Sequence, residues 1–131
     1  MTDHTTMHHI AARNPEQAWW DQCSFLGQLF FNSVRINNFN APTEHLLALL
    51  AAIADEQEAI EHADNTPYTH DAHACLLSAM SDMSSALATC LDGDERQAMA
   101  YLDSARIELA FMYLALDDLD VTYAINPFVT R

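Results

Sequence analysis

The residue types best suited to binding a metal ion are carboxylates and imidazoles near the middle of this 131-residue chain. Glu58 and His62 are four positions apart, so they would share one face of a helix. His70 and His73 are three apart and would share a face of the following helix. Bundle metal sites are built from such groups in a doubled Glu-x-x-His pattern, but three residues after Glu58 comes Glu61. His62, His70 and His73 are the candidate ligands. Because the pattern is incomplete, we predict neither a metal site nor a cofactor.

Groups for nucleophilic catalysis or phosphate binding are not brought together by the sequence. His73 and Cys75 are two positions apart on a predicted helix, so their side chains would point in different directions. The two glycines, Gly27 and Gly93, are isolated, whereas a phosphate-binding loop needs several close together. We predict that the protein is not an enzyme.

The charge of the chain is its most informative property. It has nineteen acidic residues, five arginines and no lysine, a net charge of -14. Residues 1–43 contain three acidic residues and two arginines, so residues 44–131 carry -13 of that charge. A field of this sign repels nucleic acid and anionic membranes and attracts basic surfaces. The predicted partner is therefore a basic protein surface, with no direct nucleic-acid or membrane binding.

Carboxylates at regular spacing are the candidate partner-binding residues. Glu58, Glu61 and Asp64 step by three along a predicted helix, with neighbouring Cβ atoms about 5–6 Å apart. Phosphates along a DNA strand have a comparable separation. The full candidate set is Asp55, Glu56, Glu58, Glu61, Asp64, Asp92, Asp94, Glu95, Asp117, Asp118 and Asp120. An ordinary solvated surface, adaptation to high salt or a lysine-poor genome would give the same composition, and the sequence leaves these alternatives open.

Hydrophobic periodicity predicts the elements that position these groups. The predicted helices span 15–38, 43–63, 69–91 and 94–119. Asn14 suits the N-cap of the first helix. The last helix has a heptad seam of Ala98, Leu102, Ala105, Leu109, Met112, Leu116 and Leu119.

The short links between these long helices predict antiparallel neighbours. The expected fold is all-α: an antiparallel four-helix bundle that forms a single domain over residues 1–131. A flexible tail at 1–13 and an irregular C-terminal arm at 120–131 would flank the bundle.

The first helix carries more aromatic surface than one core-facing stripe needs. Its aromatic residues are Trp19, Trp20, Phe25, Phe30 and Phe31. Exposed patches of this kind usually mark an interface, so we predict a homodimer through the first helix.

These observations predict a small acidic binding protein that docks on a basic surface of a partner and blocks it. Basic surfaces that bind nucleic acid are among the expected targets. Phage inhibitors, DNA mimics, antitoxins and immunity proteins belong to the same physical class as this predicted protein. A homodimeric adaptor bundle and a His/Glu metal-binding bundle are the alternatives. The first ten residues lack the basic and apolar regions of a signal peptide, so the expected location is cytoplasmic.

Overall fold

A computed structural model describes residues 14–37 and 39–123, and all regular secondary structure within these ranges is helical. The helices are α1 (Pro15–Leu26), α2 (Gln28–Arg35), α3 (Thr43–Glu61), α4 (His70–Leu91) and α5 (Glu95–Asp118). The all-α prediction is confirmed, and the helix contacts are compatible with a bundle. The predicted tail at 1–13 and residues 124–131 of the predicted arm lie outside the described residues.

The predicted first helix is two helices, which meet at Gly27 and end at Arg35 rather than at residue 38. A Cβ atom at Gly27 would lie 3.2 Å from Ile60 Cδ1 of α3 and 3.3 Å from the Phe31 ring. Both distances are shorter than ordinary contacts, so a glycine lets the junction of α1 and α2 pack closely on α3. The prediction of one continuous helix is wrong because apolar residues keep a helical spacing on both sides of this junction.

Side-chain caps mark the starts of α1 and α5. The Asn14 side chain accepts a hydrogen bond from the Gln17 backbone N–H at 3.0 Å, as predicted for an N-cap. Asp94 caps α5 in the same way, accepting from the Gln97 N–H at 3.0 Å. Gly93 between α4 and α5 has a φ of 91°, which side-chain-bearing residues rarely adopt.

The α4–α5 pair supplies most of the core. Asp82 of α4 accepts a hydrogen bond from Ser104 of α5, and Cys75 interacts with Glu108. Moving backward along α4 thus corresponds to moving forward along α5, so the pair is antiparallel. The predicted seam is completely buried at Ala98, Leu102, Ala105, Leu109, Met112 and Leu116, and its last residue, Leu119, is half-buried.

Helix α4 is long and apolar enough to cross a membrane, by length and composition alone. The core helix of a soluble protein has the same properties. In this fold α4 contributes Leu76, Met80, Met83 and Leu87 to the core it shares with α5.

Candidate functional site

Trp20 is the centre of an aromatic cluster that joins three helices. Its ring centroid lies 5.5 Å from Phe31 of α2, 5.6 Å from Tyr113 of α5 and 6.4 Å from Tyr123. Burial, together with the neighbouring Tyr123, raises the pKa of Tyr113 to about 12. Trp20 and Tyr113 are buried, and Phe31 and Tyr123 are half-buried at the edge of the cluster.

The aromatic surface predicted on the first helix is mostly internal. Trp19, Trp20 and Phe30 are buried, and Phe31 is half-buried. Phe25 alone among the five is well exposed, at 70%. Most of the aromatic surface from which we predicted a homodimer through this helix is therefore not exposed.

The chain after α5 folds back on α1. The Gln17 side chain donates to the Thr122 carbonyl at 3.0 Å and accepts from the Thr122 N–H at 2.7 Å. Val121 is buried, and the Tyr123 hydroxyl donates to the Asp117 carboxylate. The first residues of the predicted C-terminal arm are thus irregular and packed against the helices.

Carboxylates occupy the last turns of α3 and α5. Glu58 and Glu61 end α3, and Asp117 and Asp118 end α5; all four are exposed. Neither last turn contains a basic residue. The C-terminus of a helix is the negative end of its dipole, where each carboxylate typically costs about 0.3–1 kcal/mol. These charges are therefore placed where they oppose folding.

Packed side chains connect the two helix ends that carry these charges. Ile60, in the last turn of α3, lies against Gly27, as does the ring of Phe31. Phe31 packs on Trp20, which packs in turn on Tyr123, just beyond α5. We call the exposed carboxylates in the C-terminal halves of α3 and α5, and just after these helices, the acidic end: Asp55, Glu58, Glu61, Asp64, Asp117, Asp118 and Asp120.

The other predicted carboxylates lie elsewhere. Asp92, Asp94 and Glu95 are exposed at the α4–α5 turn. A helix rises about 1.5 Å per residue, so they are roughly 35 Å from Asp117 along α5. Asp94 is also engaged as the α5 N-cap. The structure therefore divides the predicted set into two separate groups.

Glu56, the remaining member of the predicted set, points into the structure. Its Oε1 atom accepts from the Phe30 N–H at 2.8 Å, and its Oε2 atom accepts from the Leu29 N–H at 3.0 Å. These donors belong to the first turn of α2, whose N-cap residue Gly27 has no side chain to satisfy them. Glu56 is thus a capping residue supplied by α3, and we remove it from the candidate docking surface.

Arg106 occupies the opposite end of α2. Its Nε–H donates to the Val34 carbonyl at 2.8 Å, and Nη2 lies 3.4 Å from the Arg35 carbonyl. A cation at a helix C-terminus and an anion at its N-terminus both match the helix dipole. Arg106, one of the five arginines of the chain, therefore stabilises the C-terminus of α2.

The candidate metal ligands do not converge. His73 is buried, and its Nδ1 accepts a hydrogen bond from the Trp19 indole N–H at 2.9 Å. His62 is exposed with Nδ1 2.9 Å from the Glu58 carbonyl, and His70 is also exposed. Among residues 14–37 and 39–123, no group of three or more His, Cys, Asp or Glu side chains is arranged to hold a metal ion.

The described thiols are free, and each is in an unreactive setting. Burial raises the pKa of the Cys23 thiol to about 12. Burial also raises the pKa of Cys75, with nearby Glu108 and Asp71 acting in the same direction. A thiol needs a lowered pKa to serve as a nucleophile near neutral pH, so these environments do not activate it.

Comparisons of the chain with protein-family models, with curated proteins and with solved structures find no match.

Proposed function

We propose that this protein uses its acidic end to bind a basic surface of a partner protein and thereby blocks that surface. The observation that carries the proposal is the placement of Glu58, Glu61, Asp117 and Asp118 in last turns that contain no cation. Departures from the local rules of stability are expected at functional sites. A charge pattern set by solubility alone has no need of these unfavourable positions.

The physical mechanism is electrostatic capture. Fixed carboxylates on packed helices raise the rate of encounter with a basic partner and set its orientation. The same charges repel the phosphates of nucleic acids, so the partner is a protein. A protein whose basic surface binds nucleic acid would lose that function while the acidic end covers it. Phage-type inhibitors, DNA mimics, antitoxins and immunity proteins act in this way.

Capture from a lysate of the host cells, with partners identified by mass spectrometry, tests the proposal. The immobilised protein should retain a basic partner at low salt and release it as salt rises, because exposed charges more than about 8 Å apart are screened at physiological ionic strength. A triple variant with Glu58, Glu61 and Asp64 changed to Lys should lose that partner.

A matched variant separates the acidic end from net charge. Changing Glu44, Asp92 and Glu95 to Lys reverses three exposed carboxylates outside the acidic end and alters net charge by the same amount. This variant should keep most of the affinity. Equal partner affinity in the two triple variants would place the interface elsewhere and reject the proposal.

A further inference from the structure

Helix α5 carries a second apolar stripe that faces away from the core. Ile107, Phe111 and Leu114 recur at steps of four and three, so they share one helix face. Their side chains are 56%, 57% and 50% exposed. A helix that is apolar on a second face has surface left over for a partner. We call these three residues the outer stripe.

Carboxylates flank the outer stripe at both ends. Asp103 lies four positions before Ile107, and Asp118 lies four positions after Leu114; both are exposed. Arg106, which precedes Ile107 in the sequence, is bonded to the carbonyls at the end of α2, and the charge of Arg35 acts on Tyr113, which precedes Leu114. Leu114 is also less than one helical turn from Asp117, so the outer stripe continues directly into the acidic end.

We propose that the outer stripe binds an amphipathic helix of the partner protein, with apolar residues along one face and Lys or Arg beside them. This inference rests on the proposed function and specifies the part of the partner that is recognised. Apolar side chains at a three-four spacing match the anchors of a docked helix. The flanking carboxylates select basic residues next to those anchors.

Charge disfavours a second copy of the chain as the occupant. A parallel pairing through the outer stripe would place Asp103 opposite Asp103 and Asp118 opposite Asp118. An antiparallel pairing centred on Phe111 would place Asp103 beside Asp118 of the second copy. Both arrangements bring like charges together, which costs binding energy and suppresses the pairing. A basic helix turns the same contacts into attractive ones.

The test uses two labelled synthetic peptides of Leu and Lys with identical composition. In the first, Leu residues follow the three-four spacing and form one face; in the second, the same residues are scrambled. Fluorescence anisotropy should show that the protein binds the first peptide at least tenfold more tightly. Phe111→Gln and Leu114→Gln should each weaken binding of the first peptide about tenfold and leave the scrambled peptide unaffected.

Leu47→Gln is the matched control, because Leu47 is a 53% exposed apolar residue on α3. It should change the affinity for the first peptide less than twofold, and circular dichroism should show equal helix content in all variants. Equal affinity for the two peptides, or no effect of the Phe111 and Leu114 changes, would overturn the inference. A wild-type dimer in sedimentation that Phe111→Gln converts to monomer would also overturn it, since a second copy would then occupy the outer stripe.

The acidic-end variant distinguishes this inference from the proposed function. If the Lys triple variant at Glu58, Glu61 and Asp64 weakens both peptides while the outer-stripe variants do nothing, the inference fails and capture by charge stands. If neither set of variants changes binding, both fail.

Discussion

The Oε1 atom of Glu56 lies 2.8 Å from the backbone nitrogen of Phe30, so a side chain of α3 caps the N-terminus of α2. Its second oxygen accepts from the neighbouring N–H of Leu29. With Arg106 bonded to the carbonyls at the other end, this eight-residue helix is held at both ends by charges that complement its dipole. Isolated helices this short are unstable in water, so these contacts help to decide whether α2 forms.

Glu56→Ala should therefore reduce the free energy of unfolding by about 1–2 kcal/mol, as the loss of a capping side chain does. Glu58→Ala removes a carboxylate from the last turn of the same helix, where its charge is unfavourable, and should not reduce the free energy of unfolding. Urea denaturation followed by circular dichroism measures both. Equal effects of the two changes would show that the Glu56 contact does not stabilise the fold.

The acidic end should be a source of instability. Glu61→Gln and Asp118→Asn remove charge from helix C-termini and should each raise the free energy of unfolding by about 0.3–1 kcal/mol at low ionic strength. Glu44→Gln and Glu95→Gln remove charge from first turns, where it is favourable, and should lower stability by a similar amount. The measurement is denaturant unfolding at two salt concentrations. If all four changes had the same sign, helix dipoles would not account for the cost of the acidic end.

Local patterns in the sequence predicted the α5 seam correctly, because a heptad repeat reports burial directly. They did not separate Glu56 from Glu58, since the donors that hold Glu56 lie 26 and 27 residues away in α2. The Trp19–His73 pair spans 54 residues and has no local signal either. The break at Gly27 was missed because the close approach of Ile60 is a tertiary contact. Helices were thus predictable from periodicity, whereas the division of the carboxylates depended on packing.

His73 should make stability depend on pH. Burial lowers its pKa below the usual 6.5, and the nearby charge of His70 lowers it further. The unfolded chain therefore binds a proton at higher pH than the folded chain does. The contribution of neutral His73 to stability is complete above about pH 6.5 and is lost as pH falls from there to the lowered pKa. Protonation of Nδ1 would also break its hydrogen bond with the Trp19 indole.

Unfolding measurements at pH 7.5 and 5.5 test this dependence. His73→Gln keeps a neutral acceptor for Trp19 and removes the titrating group, so it should lose less stability on acidification than the wild type. His70→Gln, at the exposed neighbouring histidine, should retain most of the dependence. An unchanged dependence in His73→Gln would show that other groups control it.

The two faces of α5 should respond differently to the same substitution. Leu109 is completely buried, so Leu109→Ala should cost about 2–5 kcal/mol through lost burial and the cavity that remains. Leu114 is half exposed on the opposite face, and Leu114→Ala should cost less than about 1 kcal/mol because solvent fills the vacated space and alanine favours helix. Chemical denaturation gives both values, and circular dichroism checks that helix content is retained. A loss of less than about 0.5 kcal/mol of unfolding free energy in Leu109→Ala would mean that the seam is not the core. A large loss in Leu114→Ala would mean that the outer stripe already packs against other atoms of the isolated protein.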